Sequence, residues 1–138
     1  MVTTVRDIMI QGPVTIEYSE SGVVAAKLMA KKKVSEIMIT DKAEPIGIIT
    51  EKDFVLKIIA KEIDPDSITV KDFMSCPLVT VPPDTELADA AALMSQKGIR
   101  RLPVIENKKI VGIVTSELLV KNLSKYISRL FSEYCYLP

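Results

Sequence analysis

The sequence predicts an α+β fold of two β-α-β-β-α repeats packed face to face with pseudo-two-fold symmetry. The first observation is a gapless internal repeat. Val5-Arg6-Asp7-Ile8-Met9 recurs as Val70-Lys71-Asp72-Phe73-Met74, an offset of 65 positions (70 − 5), and the same offset carries Val14-Thr15 onto Val79-Thr80, Ala25-Ala26 onto Ala90-Ala91, Leu28-Met29 onto Leu93-Met94 and Thr50 onto Thr115. The second is the order inside each copy, where short β-branched runs alternate with helix-forming stretches. The third is the copy number: a solenoid needs at least three units, so two must bury each other's apolar surface.

Taken in order, Val14-Thr15-Ile16 reads as a short strand, Ser19 to Gly22 offers N-cap candidates, and Val23 to Lys33 is rich in helix formers. Ile37-Met38-Ile39 and Ile46-Gly47-Ile48-Ile49 flank the polar stretch Asp41 to Pro45, which predicts a hairpin; Val104-Ile105 and Ile110-Val111 flank Glu106 to Lys109 in the same way. A helical crossover between the first and second strands of a repeat makes them parallel. Phe54 to Ile63 reads as the second helix, ended by Asp64-Pro65-Asp66-Ser67. In the second repeat Pro83-Asp84 breaks the strand, and Asp84 is the expected cap of a helix that places Leu87, Ala91 and Met94 on one face. The resulting division is residues 5–63, a linker at 64–69, residues 70–120, and a helical extension at 121–138 in which Leu123, Tyr126, Ile127 and Leu130 are helically spaced and Phe131, Tyr134 and Tyr136 add aromatic surface.

Composition narrows the function. The 138 residues are 48% hydrophobic, enough for a substantial core, and Lys+Arg and Asp+Glu both number 18, which gives no general affinity for nucleic acid or an anionic membrane. No apolar run reaches the roughly 18 residues of a membrane span and no secretion signal is visible, so the expected location is cytoplasmic. There is no histidine, and Cys76 and Cys135 form no CxxC pair, which removes most zinc sites and every histidine-based triad. No metal site, no catalytic residue and no enzymatic activity are expected. Cys76 reads as a small buried thiol used for packing, and Lys31-Lys32-Lys33 as the solvated end of a helix, where cations suit the macrodipole.

Chemistry concentrates at two strand-to-helix junctions, Gly47-Ile48-Ile49-Thr50-Glu51-Lys52-Asp53 and Gly112-Ile113-Val114-Thr115-Ser116-Glu117-Leu118. Thr50 followed by Asp53 reads first as a helix-capping arrangement and, compatibly, as a ligand site, since a helix N-terminus attracts anions and a carboxylate in its first turn can accept donors. The second junction has Leu118 in place of Asp53.

The doubled order of a Val-Arg/Lys-Asp-x-Met opening, an Ala-Ala-x-Leu-Met helix and a Gly-x-x-Thr junction resembles the cystathionine-β-synthase (CBS) domain, in the tandem pair called a Bateman module, over roughly residues 5 to 120. The resemblance implies a stand-alone regulatory module that binds an adenine nucleotide (AMP, ADP or ATP) or S-adenosylmethionine in clefts between the repeats. It places the phosphates and ribose at Thr50, Lys52 and Asp53. The same cleft takes in Met74, Cys76, Pro77, Leu78 and Val79, and Ile99, Arg100, Arg101, Leu102 and Pro103. Ile48 and Val79 would sandwich the adenine, and the two guanidinium groups suit phosphate oxygens. Matching positions give a second, weaker cleft of Val14, Ser35, Glu36, Ile113 and Thr115, which lacks the ribose acceptor and sets a carboxylate where phosphate would lie. Two unequal sites follow as the expectation. The resemblance also implies homodimers, with apolar surface at Phe54-Ile58 and Leu87-Ala91-Met94, and an unidentified regulated protein. The rival reading is a structural or oligomerisation module with vestigial clefts.

Overall fold

The computed structural model describes residues 4–124. The elements in chain order are α1 (Val5–Ile8), β1 (Ile10–Gln11), β2 (Thr15–Glu17), α2 (Gly22–Lys32), β3 (Glu36–Asp41), β4 (Glu44–Thr50), α3 (Glu51–Asp53) continuing as a π-helix (Phe54–Ile59), a 3-10 turn (Pro65–Ser67), α4 (Val70–Phe73), α5 (Leu87–Lys97), β5 (Arg101–Glu106) and β6 (Lys109–Thr115). Residues 116–124 are helical. The strands make two three-stranded sheets, ordered β2-β3-β4 and β1-β6-β5, so the α+β class read from the sequence holds.

The chain divides into two compact units, one of residues 12–79 with 107–110, the other of residues 4–11, 80–106 and 111–124. In the first, β2 pairs parallel to β3 and β3 antiparallel to β4, the topology that a helical crossover followed by a hairpin dictates. The Ser21 hydroxyl accepts from the Val24 N–H and starts α2. The hairpin turns on Lys42 and Ala43, both at positive φ (50° and 70°), the mirror-image turn whose twist matches that of the strands. The core comprises Ile16, Ala25, Met29, Ile37, Ile39, Ile49, Ile58, Val70 and Phe73. Two of these, Val70 and Phe73, belong to the opening segment of the second repeat.

That segment is held by the backbone as well. The Val70 N–H donates to the Glu20 carbonyl (2.9 Å), the Gly22 N–H to the Ile68 carbonyl (2.9 Å), and Ser21 bridges Thr69. The other unit repeats the arrangement 65 positions away: the Val5 N–H donates to the Thr85 carbonyl (2.8 Å), the Arg6 N–H to the Pro83 carbonyl (3.1 Å), and Thr4 bridges Glu86. Val5 and Ile8 are buried there, together with Val81, Ala90, Met94, Leu102, Val104, Ile113 and Val114. Compact units and sequence repeats are therefore cut at different places, each unit taking its opening segment from the other repeat.

Several expectations need correction. Asp84 does not cap α5: the helix begins at Leu87 with Glu86 at the N-cap, and the preceding residues form a turn in which the Thr85 hydroxyl and N–H both donate to the Pro82 carbonyl. The inward face of α5 is Ala90 and Met94, with Ala91 exposed. The Val79-Thr80 strand is reduced to a single parallel bridge, Val81 to Val104, because Pro82 and Pro83 have no N–H to extend a ladder. The helix after Asp53 ends at Ile59 rather than Ile63, and its bonds widen to the i→i+5 pattern, with the Ala60 N–H on the Val55 carbonyl (2.9 Å). Ile58 is buried and Phe54 packs edge-on against the Phe73 ring at 5.1 Å; the exposed apolar residues of that helix are Val55, Leu56 and Ile59. Cys76 is exposed, not a packing thiol. Lys31, Lys32 and Lys33 are exposed at the end of α2, as expected. Cys135 and the aromatic stretch from Tyr126 to Tyr136 lie outside the described residues.

Candidate functional site

Among the described residues, three helices begin with threonine followed three residues later by aspartate, at Thr4, Thr50 and Thr69. In each, the aspartate accepts from the threonine backbone N–H, at 3.1, 2.9 and 3.3 Å respectively. Capping alone therefore explains the spacing. It does not explain Asp53, which is 6% exposed, whereas Asp7 and Asp72 lie at the surface.

A buried carboxylate must be compensated by donors, and Asp53 has four. Oδ2 accepts from the Thr50 N–H (2.9 Å) and the Thr50 hydroxyl (3.4 Å); Oδ1 accepts from the Ser75 hydroxyl (3.0 Å) and the Lys57 ammonium (2.9 Å). Lys57 is one helical turn beyond Asp53, and its ammonium also donates to the Phe73 carbonyl (3.1 Å). Ser75 is carried in by the swapped opening segment, whose backbone exchanges two bonds with Ile48: Ser75 N–H to the Ile48 carbonyl (2.8 Å) and Ile48 N–H to the Ser75 carbonyl (3.2 Å). Sequence reasoning missed both residues. The i,i+4 spacing of Asp53 and Lys57 was a local signal; nothing local announced Ser75.

The equivalent positions of the other repeat, by the 65-residue offset, are Leu118 for Asp53, Asn122 for Lys57 and Ile10 for Ser75. The carboxylate and the hydroxyl are replaced by apolar side chains and the ammonium by a neutral amide. There the Thr115 hydroxyl takes the cap directly, accepting from the Leu118 N–H (3.2 Å), and the Asn122 amide donates to the Leu118 carbonyl (2.8 Å). The two junctions thus share a strand-to-helix course and differ in chemistry. They also share a glycine: a Cβ at Gly47 would overlap the Met74 side chain, and one at Gly112 would overlap Met9.

Of the residues expected around the ligand, Ile48, Thr50, Asp53 and Met74 meet in the 12–79 unit through these contacts. Leu78 and Val79, in the same segment, are half-buried, Cys76 and Pro77 exposed, and Lys52 exposed on α3. Ile99, Arg100, Arg101, Leu102 and Pro103 belong to the other unit, at and just before the start of β5; Arg100 is exposed, Arg101 half-buried, and Leu102 and Pro103 are fully buried side chains. Of the second set, Val14, Ser35 and Glu36 lie in the 12–79 unit, where the Ser35 hydroxyl donates to the Glu36 carboxylate (2.6 Å); Ile113 and Thr115 lie in β6. Among the described residues no cluster of side chains could hold a metal ion, and no helix is long and apolar enough to cross a membrane.

The CBS domain family matches residues 5–60 and 70–125. An uncharacterised protein of Methanopyrus kandleri is 40% identical over 114 residues, covering 81% of this chain and 56% of that protein, so the chain spans little more than half of that relative's length. Among solved structures, the CBS domain pair of protein MJ0100, in complex with 5′-methylthioadenosine and S-adenosyl-L-methionine, superposes with a TM-score of 0.81 at 29% identity, covering 91% of this chain and 99% of that one. A hexameric CBS-CP12 protein from bloom-forming cyanobacteria gives 0.79 at 36% identity, covering 87% of this chain and 67% of that one.

Proposed function

Because the chain belongs to the CBS-domain family, we propose that it is a regulatory module, without catalysis of its own, that binds an adenine nucleotide or another adenosyl ligand through Asp53. The observation that carries this is the buried Asp53 carboxylate at a helix start, with Lys57 and Ser75 beside it, set against Leu118, Asn122 and Ile10 at the matching positions. A capping role would be served equally by Thr115, which caps with its own hydroxyl and needs no buried charge. A carboxylate held in place can accept both hydroxyls of a ribose, and the helix start favours an anionic ligand. The adenosyl ligands of the MJ0100 pair support the ligand class. The resemblance gives Ile48 and Val79 the base and Arg100 and Arg101 the phosphates, so the Asp53 site takes the phosphorylated ligand and the Thr115 site is weak, empty or suited to an uncharged nucleoside.

A melting-shift screen with AMP, ADP, ATP and S-adenosylmethionine tests this. A ligand at a hundred times its dissociation constant stabilises the native state by about 2.7 kcal/mol, a shift of several degrees. At least one ligand should produce it in the wild type and fail to in Asp53→Ala. No shift with any of the four refutes the reading.

A second reading, an oligomerisation module, is favoured by Val55, Leu56 and Ile59, which are 53%, 51% and 69% exposed on one helix, and by the hexameric relative. Homodimerisation is compatible with sensing. If the module only assembles, Leu56→Lys with Ile59→Lys changes its mass in solution and no adenosyl ligand changes its melting.

A further inference from the structure

We propose that Lys57 and Ser75 are exchangeable occupants of the ligand site, groups that hold Asp53 Oδ1 in the free protein and one of which a ribose must displace, so that Lys57 sets the affinity and salt response of binding. This rests on the reading of Asp53 as the ribose partner. A carboxylate offers about four lone-pair positions, and Asp53 already meets four donors. A vicinal diol brings two more, so two existing donors must leave.

The Thr50 N–H cannot leave without opening the helix start. The Thr50 hydroxyl, the longest contact at 3.4 Å, can leave by rotating about one bond. The second departure must come from Oδ1, where both partners are side chains. Lys57 is 37% exposed at its side chain and can carry its charge into water on a flexible stem. Ser75 can rotate away, at the cost of a bond that links Asp53 to the swapped segment. In either case the site is competent only in the fraction of molecules whose Oδ1 is open, and the apparent dissociation constant is raised by that fraction.

The test is calorimetric titration of the full chain with adenosine, which has the diol and no charge. Salt screens the ion pair from its solvent-exposed lysine end, so wild-type affinity for this neutral ligand should increase between about 50 and about 500 mM salt. Lys57→Met should bind adenosine about three- to tenfold more tightly at low salt and show no salt response; Ser75→Ala should also gain, and Lys57→Arg should behave as wild type. Equal or weaker binding by Lys57→Met overturns the proposal, as does wild-type affinity that does not rise with salt, a result that stands even if the variants fold poorly. Absence of adenosine binding to the wild type and every variant also overturns it; the separate screen with nucleotides and S-adenosylmethionine then decides whether the adenosyl reading falls with it.

Discussion

Replacing Asp53 with alanine separates a cap from a site, because the chain carries its own control. Asp72→Ala removes the same two contacts to its threonine, at 3.3 and 2.9 Å, from an exposed position, and the loss of such a cap costs about 1 kcal/mol. Asp53→Ala removes that cap and two further partners. The Lys57 pair, partly exposed at its lysine end, contributes about 1 kcal/mol or less, since the ammonium can re-enter water and keeps the Phe73 carbonyl. The Ser75 hydroxyl, bonded to a charged acceptor, adds about 1.5 kcal/mol or more. The total is about 3 kcal/mol, against about 1 for the control, and at this chain length that difference is roughly 5 to 10 °C in melting temperature. Urea unfolding of the two variants with the wild type, compared at equal m-value, gives both numbers. Equal losses for Asp53→Ala and Asp72→Ala would refute the assignment of Ser75 and Lys57 as energetic partners of Asp53, and the contrast between the two junctions would lose its basis. In ligand titrations the same Asp53 variant should lose about ten- to hundredfold in affinity.

Gly47→Ala forces Met74 out of its place and should cost about 1–3 kcal/mol by chemical denaturation, with Met74→Ala in the same chain recovering part of the loss; no cost means that Met74 yields freely. Lys33 and Gly98 both end a helix at positive φ, 55° and 63°, so Lys33→Gly should stabilise by up to about 1 kcal/mol, and Gly98→Ala, with open space around its Cβ, should lose a similar amount. Arg100→Ala should weaken ATP more than adenosine in parallel titrations, because only ATP brings phosphate to a guanidinium. Cys76, being exposed, should react with a thiol reagent in the native protein as fast as after unfolding.

Local periodicity made much of the fold legible. The crossover from β2 to β3, the hairpin from β3 to β4 and the helix at Ala25 and Met29 follow from residues within a few positions of one another. Where the sequence misled, a distant partner had intervened. Asp84 looked like a cap, but Pro83 and Thr85 give their carbonyls to Arg6 and Val5, and that docking holds the turn away from the helix start. The site divides the same way. Thr50 and Asp53 were readable as a pair, and Lys57 could have been; Ser75 reaches Asp53 across 22 positions, and only the fold announces it. The 65-residue offset held more than the repeat, because it exposes the joint loss of the carboxylate, the hydroxyl and the ammonium at Leu118, Ile10 and Asn122.

The exchange of opening segments decides what can be cut from this protein. A fragment ending in the 64–69 stretch would lose Val70 and Phe73 from the core it needs, and would lack Ser75 beside Asp53. A fragment of residues 12–79 keeps both, so a cut that respects this core straddles the repeat boundary.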